Sequence, residues 1–276
     1  MRTKELVKFI KERESIRLKK EAGKPRPWTK DPILGNYRFC NVHREDDRVT
    51  RELKALAPTE DANLWFWWVM ARLFNKPRTM ALLSNMRYMG KLTLNHEQMR
   101  KTLKEAREHG PIFNGAYIVS TNGVSMDKVD YIIDRVLKPL WAARKDLRPL
   151  QNQYLSGYHA DLMQFDGLGS FIAAQVVADL KYVEPLLSAP DWGTWAAPGP
   201  GSRRGLNRVF DRPVDAPWRT DEWLAHLTQL RAALSMRDRL HAQDLQNCLC
   251  EFDKYERARL GEGRPKQLYK ESSLCR

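Results

Sequence analysis

A chain of 276 residues is long enough to bury a substantial core and to form one or two domains. Hydrophobic residues make up 42% and aromatics 10%, which excludes a disordered chain, and no uninterrupted apolar run approaches the roughly 20 residues that a membrane-spanning helix needs. The net charge of +13 points to a polyanionic partner, nucleic acid first, and most of the excess sits at the ends: residues 1–30 hold eleven Lys/Arg against four Glu, and residues 254–276 hold seven against three.

In chain order, Leu6, Phe9, Ile10, Ile16 and Leu18 predict an amphipathic helix with heavily basic outer faces. Gly23, Pro25 and Pro27 break it, so residues 1–27 read as a basic arm. Charges interrupt this segment every few residues and leave no signal-peptide core, which predicts a cytosolic protein. Asp31-Pro32 opens a turn, and Val42 to Leu56 has helical composition. "EDANLWFWWVMARLFNKP" predicts a buried helix ending before Pro77, in which the tryptophans fill the core. "PRTMALLSNM" gives a short helix, and "NHEQMRKTLKEAREHG" another with Gly110 as its stop. Ile118 to Thr121 is a short strand or an extended link. Asp127 to Trp141 is helical, with Pro139 expected to bend or end it. A Gly/Pro-rich loop, "PDWGTWAAPGPGSRRGLNRVF", precedes two last helices, Asp221 to Leu234 and Ala242 to Leu260. An irregular basic tail, residues 261–276, closes the chain. The fold class is mainly α, with a helical domain over residues 28–260, in one or two lobes.

The four cysteines, Cys40, Cys248, Cys250 and Cys275, lack the paired spacing of a zinc site and the clustering of an iron–sulfur site. Reduced, mostly packed thiols are expected, with no metal and no cofactor.

"FDGLGSFIAAQVVADL" places Gly167 and Gly169 between two helical stretches, the second carrying Gln175 at a polar position. This is the pattern of a helix–hairpin–helix. Glycines let a backbone approach a phosphate, and the helix opening at Ser170 would offer its N-terminal amides to one DNA phosphate. An ordinary tight turn has the same pattern. DNA base-excision glycosylases place a Gly/Pro-rich loop and an aspartate shortly after such a hairpin, and here Asp191 stands in that place. The alternative for Asp191 is to cap a turn or helix.

The strings "DPILGNYRFCNVHREDDRV", "FWWVMARLFNKP", "GAYIVSTNG", "DGLGSFIAAQVVADL", "GPGSRRGLNR" and "DLQNCLCEFDKYERARLGEGRPK" together resemble the α-glutamyl/putrescinyl-thymine pyrophosphorylase family, over roughly Pro27 to Lys266. Its relatives are amino acid:DNA transferases, and a similar helical region is joined to some 5-hydroxymethyluracil DNA kinases. The resemblance implies a DNA glycosylase-like helical fold and a phage enzyme of thymine hypermodification. Its reaction would replace the phosphate or pyrophosphate of activated 5-hydroxymethyluracil in double-stranded DNA with an amino acid or polyamine. The alternatives are a DNA glycosylase and a non-catalytic DNA-binding partner of a base-modifying kinase. The P-loop signature G-x-x-x-x-G-K-[ST] is absent, which favours the transferase step over the kinase step.

That chemistry needs cations for the departing phosphate, a carboxylate for the ammonium and a base drawn out of the stack. Arg203, Arg204 and Arg208 are the cation candidates, with amides of the surrounding Gly199, Gly201 and Gly205 in support; binding of backbone phosphates is the alternative. Asp191 is the first acid/base candidate and Glu251 the second. Asn41, Arg44, Glu45, Asn114, Tyr117, Asn207, Gln246 and Lys254 are candidates for a base or amine pocket. Arg44 and Arg48 would share a helix face. Gln246, Asn247, Glu251 and Lys254 would share one broad side of the last helix, which is equally the pattern of an amphipathic surface helix. His43 is expected to be structural. The glycines of the hairpin, Asp191 and the arginine cluster are expected to line a single cleft.

Overall fold

A computed structural model describes residues 1–59, 61–84, 87–88, 91–115, 117, 119–234, 240–265 and 267–269. In chain order the helices are α1 (Thr3–Glu21), α2 (Pro32–Asn36), α3 (Arg48–Leu56), α4 (Leu64–Phe74), α5 (Pro77–Leu83), α6 (His96–Glu108), α7 (Lys128–Tyr131), α8 (Lys138–Ala142), α9 (Leu155–Leu162), α10 (Ser170–Leu180), α11 (Pro200–Val209), α12 (Thr220–Ala233) and α13 (Ala242–Arg259). Two strands of two residues, Arg87–Tyr88 and Lys91–Leu92, pair antiparallel between α5 and α6. The protein is mainly α. Among the described residues no helix is long and apolar enough to cross a membrane.

The chain forms two compact units. One comprises Met1–Asp47 with Gly193–Arg276, and the other Arg48–Trp192. In the discontinuous unit, Leu6, Phe9, Ile10 and Ile16 form the buried stripe of α1, so the segment expected as a basic arm is packed into a core. Leu18, expected on the same stripe, is exposed. The core is completed by Trp223, Leu227 and Leu230 of α12 and by Leu245, Leu249 and Phe252 of α13. Part of the tail is ordered by backbone pairing: Arg38 donates to Gln267 and Tyr269 donates to Asn36. Cys275 lies outside the described residues.

The continuous unit is built on α4. Every residue from Trp65 to Phe74 is buried, because the helix is apolar nearly all round and α10 packs on it. The tryptophans belong to this core, as expected. Val42 to Leu56 is not one helix: a 3-10 turn at Arg44–Asp46 and an extended Asp47 precede α3, so Arg44 and Arg48 do not share a helix face. Instead Arg48 faces Glu52, one turn on in α3, at 3.8 Å. Between α7 and α8, residues Ile132–Leu137 form a π-helical stretch, and Pro139 falls in the first turn of α8. The helix therefore runs through Pro139; a shifted register accommodates a residue that cannot donate. Val119 to Thr121 lies in no strand, and Ile118 lies outside the described residues.

Candidate functional site

In the continuous unit, α9 and α10 are joined by a turn in which Gly167 has φ +76°. A Cβ there would stand 2.6 Å from a methyl carbon of Val136, so both conformation and space require glycine. Gly169 is the N-cap of α10 and supplies no side-chain acceptor to its first turn. Ser170 and Phe171 open the helix, and Phe171 is exposed. The Phe171 ring meets Tyr117 edge-on at 5.1 Å, and the Tyr117 hydroxyl donates to Gln175 Oε1 at 2.8 Å. Asn114 is half-buried, and its backbone N–H donates to Phe74. Asp191 is buried, and its carboxylate accepts from the amides of Leu155 at 2.6 Å and Ser156 at 3.0 Å. It thus caps α9 from 36 residues away, satisfying first-turn amides that have no intrahelical partner.

In the discontinuous unit, the arginines of "GSRRGLNR" are held by protein partners. Arg203 donates to the Trp218 carbonyl. Arg204 and Arg208 both reach Asp253, at 3.2 and 2.8 Å; Arg204 also pairs with Asp215, and Arg208 with Glu262. Asp253 is buried and also meets Arg257 at 3.3 Å. Burial works against the Arg208 charge, but Glu262 and Asp253 outweigh it and raise its pKa. Neighbouring glycines serve packing rather than a phosphate cradle. A Cβ on Gly205 would lie 2.1 Å from the Leu249 carbonyl oxygen, and one on Gly201 2.5 Å from Cys250 Sγ. These glycines let α11 and α13 touch backbone to backbone. Asn207 is buried, and its Nδ2 donates to the carbonyls of Val214 and Ala216, fixing the loop before α12.

A second polar group gathers around Cys40 and Asn41. Glu251 is buried and accepts from the Cys40 amide at 2.9 Å; Lys254 Nζ lies 2.6 Å from the same oxygen. Lys254 also stands 4.7 Å from the centre of the Phe39 ring. Asn41 donates to the Asp46 carbonyl, and its own carbonyl accepts from Asn247 and Arg13. Gln246 is half-buried beside Gly199. The Arg44 amide and His43 Nδ1 both meet the buried carboxylate of Asp244, at 3.1 and 3.3 Å, and Glu45 is half-buried in the same turn. The hydrogen bond to Asp244 raises the His43 pKa against the opposing effect of burial. Burial pushes the Cys248 and Cys250 thiols up to about 11, so neither is a thiolate at neutral pH. Among the described residues, no group of three His, Cys, Asp or Glu side chains is arranged to hold a metal ion.

Asn41, Arg44, Glu45, Arg203, Arg204, Asn207, Arg208, Gln246, Glu251 and Lys254 therefore belong to one unit; Asn114, Tyr117, Gly167, Gly169, Ser170 and Asp191 belong to the other. Sequence reading missed a fully buried polar cluster. Arg72 forks onto Asp179 and also donates to Asn75 and Thr50, all of them buried. The signal is present in the sequence: Asp179 is a lone acid near the end of an apolar helix. Asp253, the acid that holds Arg204 and Arg208, carries no local sign of that role, since its partners come from another helix.

No solved structure matches the chain. A "5-hmdU DNA kinase" of Bacillus phage SP10 is 28% identical over 217 residues, covering 68% of this chain. The chain spans about a third of that relative's length. The family described as "5-hmdU DNA kinase, helical domain" matches residues 2–264. The family matched is the helical region that the sequence resemblance joined to some 5-hydroxymethyluracil DNA kinases; the transferase family of that resemblance is a finer expectation than this match. The chain belongs to the 5-hmdU DNA kinase helical-domain family.

Proposed function

We propose that this chain is a DNA-engaging helical module of phage thymine hypermodification, whose partner is double-stranded DNA carrying 5-hydroxymethyluracil. The family match across residues 2–264 carries the reading. The charge of +13 supports it, because a polyanion is the natural counterpart of such an excess. The α9–α10 turn supports it as well. Gly167 turns the chain with a positive φ just before α10, the exposed Phe171 stands in that helix's first turn, and Gly169 supplies no side chain to the amides that open it. In this reading the turn holds a DNA phosphate as a helix–hairpin–helix of a glycosylase-like fold does, and Phe171 with Tyr117 faces a base swung out of the stack.

A finer reading is amine transfer, in which the chain replaces the phosphate or pyrophosphate of activated 5-hydroxymethyluracil with an amino acid or polyamine. One observation favours it: the buried carboxylate of Glu251 already holds a primary ammonium, that of Lys254. An incoming amine that displaced Lys254 would meet an acceptor able to steady it and take its proton. In this reading Asp191 positions α9 and is not the acid/base group.

Duplexes containing 5-hydroxymethyluracil or thymine, compared by fluorescence anisotropy, test the first reading. Tighter binding of the modified duplex is expected, and equal weak binding of both overturns it. Phosphorylated 5-hydroxymethyluracil DNA incubated with putrescine or glutamate, then digested for nucleoside mass spectrometry, tests the second. A mass gain equal to the amine is expected, and abasic sites would indicate a glycosylase instead.

A further inference from the structure

A groove of about 960 Å³ opens in the discontinuous unit, and none of the candidate residues discussed above lines it. This size lies at the upper end of the roughly 300–1,000 Å³ typical of small-molecule sites. One wall is a face of α1, the second is a face of α13, and the third is the segment from Pro27 to Leu34. The floor is aromatic. Phe9 packs against Phe252 at 5.5 Å and against Tyr255 at 5.1 Å, and the half-buried Trp28 forms the lip. Tyr255 is fixed by donating to Asp31 at 2.7 Å, and burial together with that bond raises its pKa, so it stays a neutral phenol.

At the end where α1 begins and α13 finishes, two guanidinium groups share one buried carboxylate. Arg2 lies 2.9 Å from Glu256, and Arg259 makes two bonds of 2.8 Å to it. Burial opposes the Glu256 charge, but Arg259 and Arg2 outweigh it and lower its pKa. Glu5 also lines the groove, 3.8 Å from Arg2, so the cluster balances two guanidinium groups against two carboxylates; the shared Glu256 holds the two forks in place before any ligand arrives, and the unbalanced positive charge of the groove comes from its lysines. Lys8, Glu12 and Lys30 also line the groove, and none makes a hydrogen bond or ion pair among the described residues.

We propose that this groove binds a nucleoside phosphate. Its planar base lies on the aromatic floor beneath Trp28, and its phosphate is held by Arg2 and Arg259 with Lys8 and Lys30. Glu12 accepts from a base N–H or a sugar hydroxyl. A nucleotide uses every feature of the groove at once. A purely apolar ligand would leave Glu12, Lys8 and Lys30 without partners. Of the four carboxylates that line the groove, Glu5, Asp31 and Glu256 are already engaged, so a free amine would find only Glu12 beside five cationic side chains. The recognition is that of aromatic stacking combined with cationic phosphate contacts. It is independent of the DNA reading, because neither the α9–α10 turn nor Glu251 takes part. The same chemistry fits a free mononucleotide and a single nucleotide of a DNA strand.

Isothermal titration calorimetry of the full chain with dTMP, AMP, thymidine, inorganic phosphate and putrescine tests the proposal. Saturable binding of dTMP or AMP is expected, at least tenfold tighter than thymidine or phosphate alone. The Lys8→Ala/Lys30→Ala double variant changes two unpartnered side chains and is expected to weaken that binding at least tenfold while leaving the melting temperature unchanged. Trp28→Leu is expected to weaken it as well. A short single-stranded oligonucleotide that competes with the mononucleotide assigns the site to a strand, and one that does not assigns it to a free nucleotide. No saturable binding of either mononucleotide, tighter binding of putrescine, or wild-type affinity in the double variant overturns the proposal.

Discussion

Asp191 shows how one carboxylate can be read two ways. Both of its oxygens meet backbone amides, at 2.6 and 3.0 Å, at the start of a helix eight residues long. Removing a side-chain cap costs about 0.5–2 kcal/mol. Asp191→Ala is therefore expected to lower the unfolding free energy by about 1–2 kcal/mol in a urea titration, and Asp191→Asn by less, since an amide oxygen keeps one acceptor. His43 is a second case. Its pKa is raised chiefly by the hydrogen bond to Asp244, with Asp244, Glu14 and Asp46 adding attraction against burial. The protonated form is thus favoured in the folded state. The stability it contributes is complete below the unfolded value of about 6.5 and is lost as pH rises through the higher folded value. His96 and His159 are lowered, mainly by burial, and act in the opposite sense in the same range. The informative quantity is therefore a difference. The melting temperature of wild type minus that of His43→Gln is expected to shrink between about pH 6 and pH 8.

At the scale of elements, the contact of α11 with α13 depends on glycine. A Cβ on Gly205 would overlap the Leu249 carbonyl, which is backbone and cannot swing aside. Gly205→Ala would gain up to about 1 kcal/mol in helix propensity. Overpacking costs about 1–3 kcal/mol, so a net loss is expected, read as a lower midpoint in chemical denaturation. The Arg72–Asp179 pair joins α4 to α10 in the other unit. Arg72→Met strands a buried carboxylate and is expected to cost about 3–5 kcal/mol, whereas Arg72→Met/Asp179→Leu should recover much of that loss. Helices α6, α12 and α13 were legible to within a residue or two, because their apolar period and end residues are local signals. The pairing of their polar residues was not. Arg204 and Arg208 look like phosphate ligands in a glycine-rich string, and only the approach of α13 shows that Asp253 already holds them. The same approach explains the glycines, which were legible as special but not as packing residues. Lys254 and Glu251, three apart on one helix, were legible as neighbours, and the Cys40 amide that completes their group comes from 211 residues away.

For the whole molecule the question is which of its positive charges remain available to a polyanion. Among the basic residues of the first thirty, Arg2 is bound to Glu256, Arg13 to the carbonyls of Cys40 and Asn41, and Arg17 to Glu14 and Glu21. Arg13 and Arg17 are thereby spent inside the unit, while Arg2 shares Glu256 with Arg259 at the groove proposed above to take a phosphate. Lys4 and Lys11 are different: both are exposed, and neither makes a hydrogen bond or ion pair among the described residues. They stand seven residues apart on α1, two turns along one face, at roughly 10 Å by helical rise. That face is opposite in character to the buried stripe of Leu6, Phe9 and Ile10, so α1 is anchored by its core and free to present charge outward. If it does so to DNA, each lysine that meets a phosphate releases condensed counterions, and log affinity falls with log salt at about −0.9 per contact. Lys4→Gln/Lys11→Gln removes two such contacts without touching the core. The slope of duplex affinity against salt, measured by anisotropy from 50 to 200 mM, is then expected to become shallower by about 2, with an unchanged melting temperature. The loss should be alike for thymine and 5-hydroxymethyluracil duplexes, because phosphates carry no base identity. An unaltered slope would mean that DNA approaches through other cations, and the charge of α1 would then need a different explanation.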